Sequence, residues 1–178
     1  MVCPWWLCYS FDNPLRRLFH DPKRLLDPYV KPGMTVVDIG CGMGYFTIDL
    51  AKLAGPEGRV IAVDLQQQML DALGRRARRA GVTDRIILHR CRKESLGVEE
   101  PADFALAFWM AHEVPDTPRF FREIFNFLKT EGRLLFVEPK VHVTQKSLER
   151  TLTVCRETGF RILEEPAVAL SRAFLMGK

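Results

Sequence analysis

From Met34 to the C-terminus, short apolar runs alternate with stretches of helical periodicity, a pattern that reads as repeated strand and helix units. Val36, Val37 and Ile39 form a β-branched run bounded by Pro32-Gly33 before and glycines after, the signature of a strand buried on both faces. Comparable runs predict strands near 34–39, 59–64, 85–89, 103–109 and 132–138. After the first run, Phe46, Leu50 and Leu53 recur at helix spacing and Gly55-Pro56 supplies a stop. After the second, Met69, Leu70 and Leu73 do the same. Thr144 predicts the cap of a helix reaching about Thr158 and ended by Gly159, and two more strands follow at 160–165 and 169–176. Only Pro166-Ala167-Val168 joins that last pair, too short for a parallel crossover, so they form an antiparallel hairpin. The pattern as a whole is that of an α/β fold.

The candidate chemistry lies in Asp38-Ile-Gly-Cys-Gly-Met-Gly-Tyr-Phe-Thr47. Gly40, Gly42 and Gly44 remove the Cβ where the backbone must turn sharply between strand and helix and approach a ligand closely. A dinucleotide fingerprint requires G-x-G-x-x-G, but the third glycine here comes one residue early and Tyr45 occupies its place, which weakens an NAD reading. Beyond the loop, the run Arg59-Val-Ile-Ala-Val-Asp64 ends the second strand in a carboxylate. Asp38 to Thr47, with Asp64 and the downstream order of elements, resembles the first motif of the class I S-adenosylmethionine (SAM) dependent methyltransferases, in particular their small-molecule, type 11-like domains. The resemblance covers residues 34–178.

That resemblance implies a Rossmann-like, doubly wound sheet of seven strands in the order 3-2-1-4-5-7-6, mostly parallel with an antiparallel C-terminal strand. It implies SAM as cofactor and S-adenosylhomocysteine as product. Asp64 would accept from both ribose hydroxyls, Leu65 would pack on the adenine, and Asp38 would hold the amino group of the methionine moiety. Gly40, Cys41, Gly42 and Gly44 would cradle the cofactor tail. The plainer reading of Asp64 is a cap for the helix beginning near Gln66. After the third strand the family carries an acidic residue for the adenine amine; this chain reads Arg90-Cys91-Arg92, so that contact falls to backbone groups and packing at Cys91 and Arg92. The fourth strand runs into Trp109-Met-Ala-His-Glu-Val-Pro-Asp116, without the Asn/Asp-Pro-Pro-aromatic grip of amine methylases and similar to the turn of small-molecule methyltransferases. Trp109 would adjoin the cofactor and the reacting centre. His112 is either a general base, with an ordinary pKa near ~6.5, or a structural bond to a loop carbonyl. Glu138 either holds a cationic substrate or pairs with Lys140. His112, Trp109 and Glu138 are the catalytic candidates.

Composition narrows the picture further. A chain of 178 residues makes about one domain, and no apolar stretch reaches the ~18 residues of a membrane span. Five scattered cysteines point to reduced thiols and a cytoplasmic location, and Cys3-x4-Cys8 matches no zinc spacing, so no metal is expected. The net charge of +4 is too small to argue for an anionic partner. Arg75, Arg76, Arg78 and Arg79 suit a helix C-terminus; the rival, an RNA patch extended by Arg85, Arg90, Arg92 and Lys93, has no interleaved aromatic residue to stack bases.

Residues 1–30 read as a helical arm before a SAM-binding domain over 31–178. Asp12-Asn-Pro14 and Asp21-Pro22 are two helix starts, and Trp5, Trp6, Tyr9 and Phe11 make the arm either a hydrophobic cover or a lid. The first ten residues do not have the pattern of a signal peptide. The function expected is methyl transfer from SAM to O, N, S or C of a small molecule, by a monomer or homodimer. A SAM-binding module without catalysis is the alternative, and a nucleic-acid methyltransferase ranks third.

Overall fold

Thr35–Ile39 (β1) is buried at all five positions, which is why its sequence shows no apolar and polar alternation. The computed structural model to which this strand belongs describes residues 19–178. The expected helix at Asp12–Pro14 and the aromatic residues Trp5, Trp6, Tyr9 and Phe11 lie outside the described residues, as do Cys3 and Cys8. Seven strands follow the order β3-β2-β1-β4-β5-β7-β6, as expected for this class of sheet. The chain divides into two units, up to Cys91 and from Arg92 onward.

The first unit opens with Pro22–Leu26 (α1), whose start is fixed by Asp21: its Oδ1 accepts from the Arg24 amide at 3.2 Å, and proline fills the first turn where no donor is missed. After β1 come Thr47–Ala54 (α2), Arg59–Asp64 (β2), Gln67–Ala80 (α3) and Ile86–Arg90 (β3). Both strand pairings are parallel, with Asp38 opposite Ala62 and Asp64 opposite Arg90. α3 buries Met69, Leu70, Leu73 and Ala77 and stops at Gly81, which takes the left-handed conformation and returns its amide to the Ala77 and Arg78 carbonyls. Between α2 and β2 the chain needs Gly58: a Cβ there would stand 2.4 Å from the Ala54 carbonyl oxygen and 2.8 Å from that of Met34. β3 is an edge strand with Ile87 and Leu88 each 43% exposed.

The second unit holds Ala102–Phe108 (β4), Thr117–Phe127 (α4), Leu128–Pro139 (β5), Gln145–Thr158 (α5), Arg161–Glu164 (β6) and Ser171–Gly177 (β7). Asp116 and Thr144 cap α4 and α5 through the amides of Arg119 and Ser147. β4 and β5 run parallel; β7 is antiparallel to both β5 and β6. The strand pattern expected at 132–138 is longer in fact. β5 starts at Leu128 because Ala102 pairs with Leu128 and Phe104 with Arg133, so the polar Lys129-Thr-Glu stretch is a bulge inside a strand, not a loop before it. The hairpin strands are shorter than their apolar runs suggested, and six residues, not three, join them. Among the described residues no helix is long and apolar enough to cross a membrane.

Candidate active site

The glycine loop is held by hydrogen bonds to the end of β2. The amides of Gly40 and Cys41 both donate to the Val63 carbonyl, at 2.8 and 3.0 Å, and the Gly42 amide donates to Asp64 Oδ2 at 2.9 Å. Asp64 Oδ1 accepts from the Gln66 amide at 2.8 Å. The carboxylate therefore does serve the start of α3, and it also ties that start to the loop 22 residues earlier. Two amide bonds leave lone pairs on both oxygens, so capping and ligand binding are compatible.

Asp38 ends β1 almost fully buried and accepts from Thr47 Oγ1 at 2.6 Å. Thr47, the last residue of the motif, stands at the first turn of α2 and so ties that helix to the end of β1. Cys41 turns its side chain from the loop into the core. Its side chain packs with Ala62, Leu70 and Leu73, its Sγ lies 3.6 Å from the Gly42 carbonyl, and its amide is used by Val63. Burial first, and then the charges of Asp38 and Asp64, push its thiol well above the usual range. Cys41 thus contributes packing, and the raised thiol follows mainly from that burial. Gly42 has φ 54, and a Cβ built on it meets nothing within 4 Å, so the backbone faces open space there. Leu65 is partly exposed beside it, with its carbonyl 3.4 Å from Arg90 Nε. The Cys91 amide continues the β2–β3 ladder to the Asp64 carbonyl at 3.0 Å.

In the second unit Arg92 forms a tight bridge with Ser95. Farther on, the ends of β4 and β5 bring together residues that the sequence named separately. Glu138, 3% exposed, accepts from the His112 amide through Oε1 at 3.2 Å and meets His112 Nδ1 through Oε2 at 2.6 Å. This replaces the two structural alternatives: His112 bonds a carboxylate, not a loop carbonyl, and Glu138 is engaged by His112, while the Lys140 amide bonds the Leu170 carbonyl. The Glu138 hydrogen bond, helped by the charges of Glu138 and Glu113, raises the His112 pKa above its ordinary value against the opposing effect of burial. A carboxylate on Nδ1 directs Nε2 outward as the proton-exchanging atom. Trp109 has φ 58, donates its amide to the Val137 carbonyl at 2.8 Å and its Nε1–H to Ser171 Oγ at 2.9 Å. Ser171 was not singled out by the sequence; its partner is 62 residues away and no local motif marks the pair.

The strand order together with a glycine loop fastened to the carboxylate of β2 defines the class I SAM-dependent methyltransferase fold. Residues 30–165 match the methyltransferase-domain family, and the chain belongs to that family. It is 33% identical over 110 residues to a demethylmenaquinone methyltransferase of Lactobacillus johnsonii, covering 61% of this chain and 45% of that protein. It is 31% identical over 110 residues to the ubiquinone/menaquinone biosynthesis C-methyltransferase UbiE of Pasteurella multocida, covering 61% and 41%. The chain spans less than half the length of these curated relatives. A SAM-dependent methyltransferase from Aquifex aeolicus has the same fold, with a TM-score of 0.86 at 21% identity, covering 99% of this chain and 98% of that one.

Proposed function

We propose that the protein is a SAM-dependent methyltransferase of small molecules, working without a metal in the cytoplasm as a monomer or homodimer. The observation that carries this reading is the loop itself. Gly42 turns a bare backbone toward open space while its amide is held by the buried Asp64, and the two carboxylates Asp38 and Asp64 flanking the loop suit a cofactor bearing an ammonium and a sulfonium. The residues present therefore fit SAM. Asp64 would take the ribose hydroxyls, Asp38 the amino group, Leu65 the adenine face with Cys91 beside it, and Gly40 to Gly44 the tail.

When bound, SAM would supply an electrophilic methyl carbon on a sulfonium, whose sulfur would keep the electron pair of the broken bond and leave as the thioether S-adenosylhomocysteine. The chain's own part is orientation and proton removal. In its neutral form His112 takes the proton of the acceptor's nucleophilic group, and Glu138 stabilises the imidazolium that results. Holding two reactants in line removes much of the entropic barrier without further side-chain chemistry. The names of the curated relatives make a reduced quinone ring the first acceptor class to test.

Titration calorimetry should show SAM and S-adenosylhomocysteine binding at micromolar affinity and NAD not binding, and radiolabelled SAM should then pass its methyl to hydroquinones. Binding without turnover on hydroquinone, phenol, amine and thiol panels would instead make the chain a SAM-binding module.

A further inference from the structure

We infer that Val141 and Leu170 form an apolar wall that holds the acceptor, and that Ser171 is the positioning residue that fixes Trp109 beside it; the inference rests on the methyltransferase reading above. Among the described residues only two non-glycine residues have positive φ, Trp109 and Leu170, both at 58. Left-handed backbone crowds a Cβ against the following carbonyl, so such residues persist where their surroundings hold them, often at functional sites.

Both converge on Ser171. The Trp109 indole N–H donates to Ser171 Oγ at 2.9 Å, the Ser171 hydroxyl donates to the Ala169 carbonyl at 2.9 Å, and its amide donates to the Val168 carbonyl at 3.2 Å. Its buried hydroxyl thus joins the indole to the turn that carries Leu170. In the β5–β7 register Ser171 faces Pro139, the strand position after the Glu138 and Arg172 pair.

The loop after β5 is fastened to the same turn. The Lys140 amide donates to the Leu170 carbonyl at 2.9 Å, the Val143 amide to the Pro139 carbonyl at 3.1 Å, and Arg172 to the Val143 carbonyl at 3.0 Å. Yet Val141 is 83% exposed and Leu170 58% exposed. A loose loop that shows an apolar side chain needs no explanation. A loop and a turn fastened to each other that each show one, the second in a conformation glycine would adopt freely, are built to present them. The ligand such a wall takes is the apolar substituent of a small acceptor whose reactive group faces His112.

The test uses radiolabelled SAM and reduced hydroquinones carrying methyl to hexyl chains, with the full-length chain and its variants. If the wall is real, KM falls with chain length in the wild type. L170G then raises KM for the hexyl compound about tenfold, with kcat held, because the apolar contact is lost. Its Tm does not fall, since glycine relieves the left-handed backbone. V141T, on an exposed residue that changes shape little, raises the same KM and keeps the test open if L170G folds poorly. In a W5F/W6F background S171A shifts Trp109 emission and lowers kcat, and S171T, which keeps the hydroxyl, restores both. Chain-length-independent KM, or L170G and V141T with wild-type KM, would overturn the wall while SAM binding stands. Unchanged Trp109 emission in S171A would overturn the positioning role. Absence of SAM binding in the wild type would remove the methyltransferase reading and this inference with it.

Discussion

His112 ties the two consequences of one ion pair to opposite directions of pH. Its folded-state pKa is raised, so the pair's contribution to stability is complete below the ordinary histidine value and is lost as pH rises through the folded one. A base must be neutral, so kcat/KM should instead rise with pH through the same raised value. Glu138→Gln removes the largest cause of the shift and should move the rising limb of a pH–rate profile to lower pH while lowering the plateau. Asp64 also has two duties. Asp64→Ala should weaken SAM binding ~10–100-fold, as expected for lost charge-assisted hydrogen bonds, and should also lower Tm, because the amides of Gly42 and Gln66 lose their acceptor; calorimetry and a thermal melt separate the two effects. At this scale the sequence was most legible where the chemistry is local. Asp38, the glycines and Asp64 could be read from one motif and the next strand end. His112 and Glu138 could be named, but not paired, because 26 residues separate them and only the register of β4 against β5 joins them. Cys41 could be named, but not that its side chain would turn into the core, because a motif position does not say which way a side chain turns.

The elements between those residues depend on glycines of two kinds. Gly58 has no room for a side chain, since its would-be Cβ strikes two backbone carbonyls that cannot swing aside. Gly42 has room, and only its positive φ resists substitution. Gly58→Ala should therefore destabilise by about 1–3 kcal/mol while the folded fraction binds SAM as before. Gly42→Ala should cost less stability and weaken SAM binding instead. Parallel melts and calorimetry on the two variants would show the crossing; equal losses of affinity would remove Gly42 from the cradle. Helix ends were legible because caps are chemical: Asp21, Thr144, Gly55 and Gly159 all stand at the boundaries of their helices. β5 was not, because a bulge reads as a loop when polarity is the only guide, and its pairing to Ala102 is a tertiary fact.

Across the whole molecule the charge is unevenly spread: seven arginines and one lysine stand against a single aspartate between Arg75 and Lys93, in a chain of net charge +4. Sequence reasoning could locate this cluster and its helix end, but not that it would flank an open strand. Arg75, Arg78 and Arg79 are exposed on α3, and a Cβ at Gly74 would lie 3.3 Å from Leu88 and 3.9 Å from Arg78, so helix and strand pack closely there. Among the described residues β3 is the last strand on its side of the sheet and shows two partly exposed apolar side chains, a template on which a second chain could add strands. The surrounding cations act as gatekeepers, because two like edges repel before they can pair. Such repulsion is screened over about 8 Å at physiological salt. Replacing Arg75, Arg78, Arg79 and Arg90 by glutamine should leave methyl transfer intact but produce assemblies that grow with concentration in light scattering, and raising salt should push the unmodified protein the same way. In that sense the arginines protect colloidal stability, and the shelf life of a concentrated solution would report on the outermost strand.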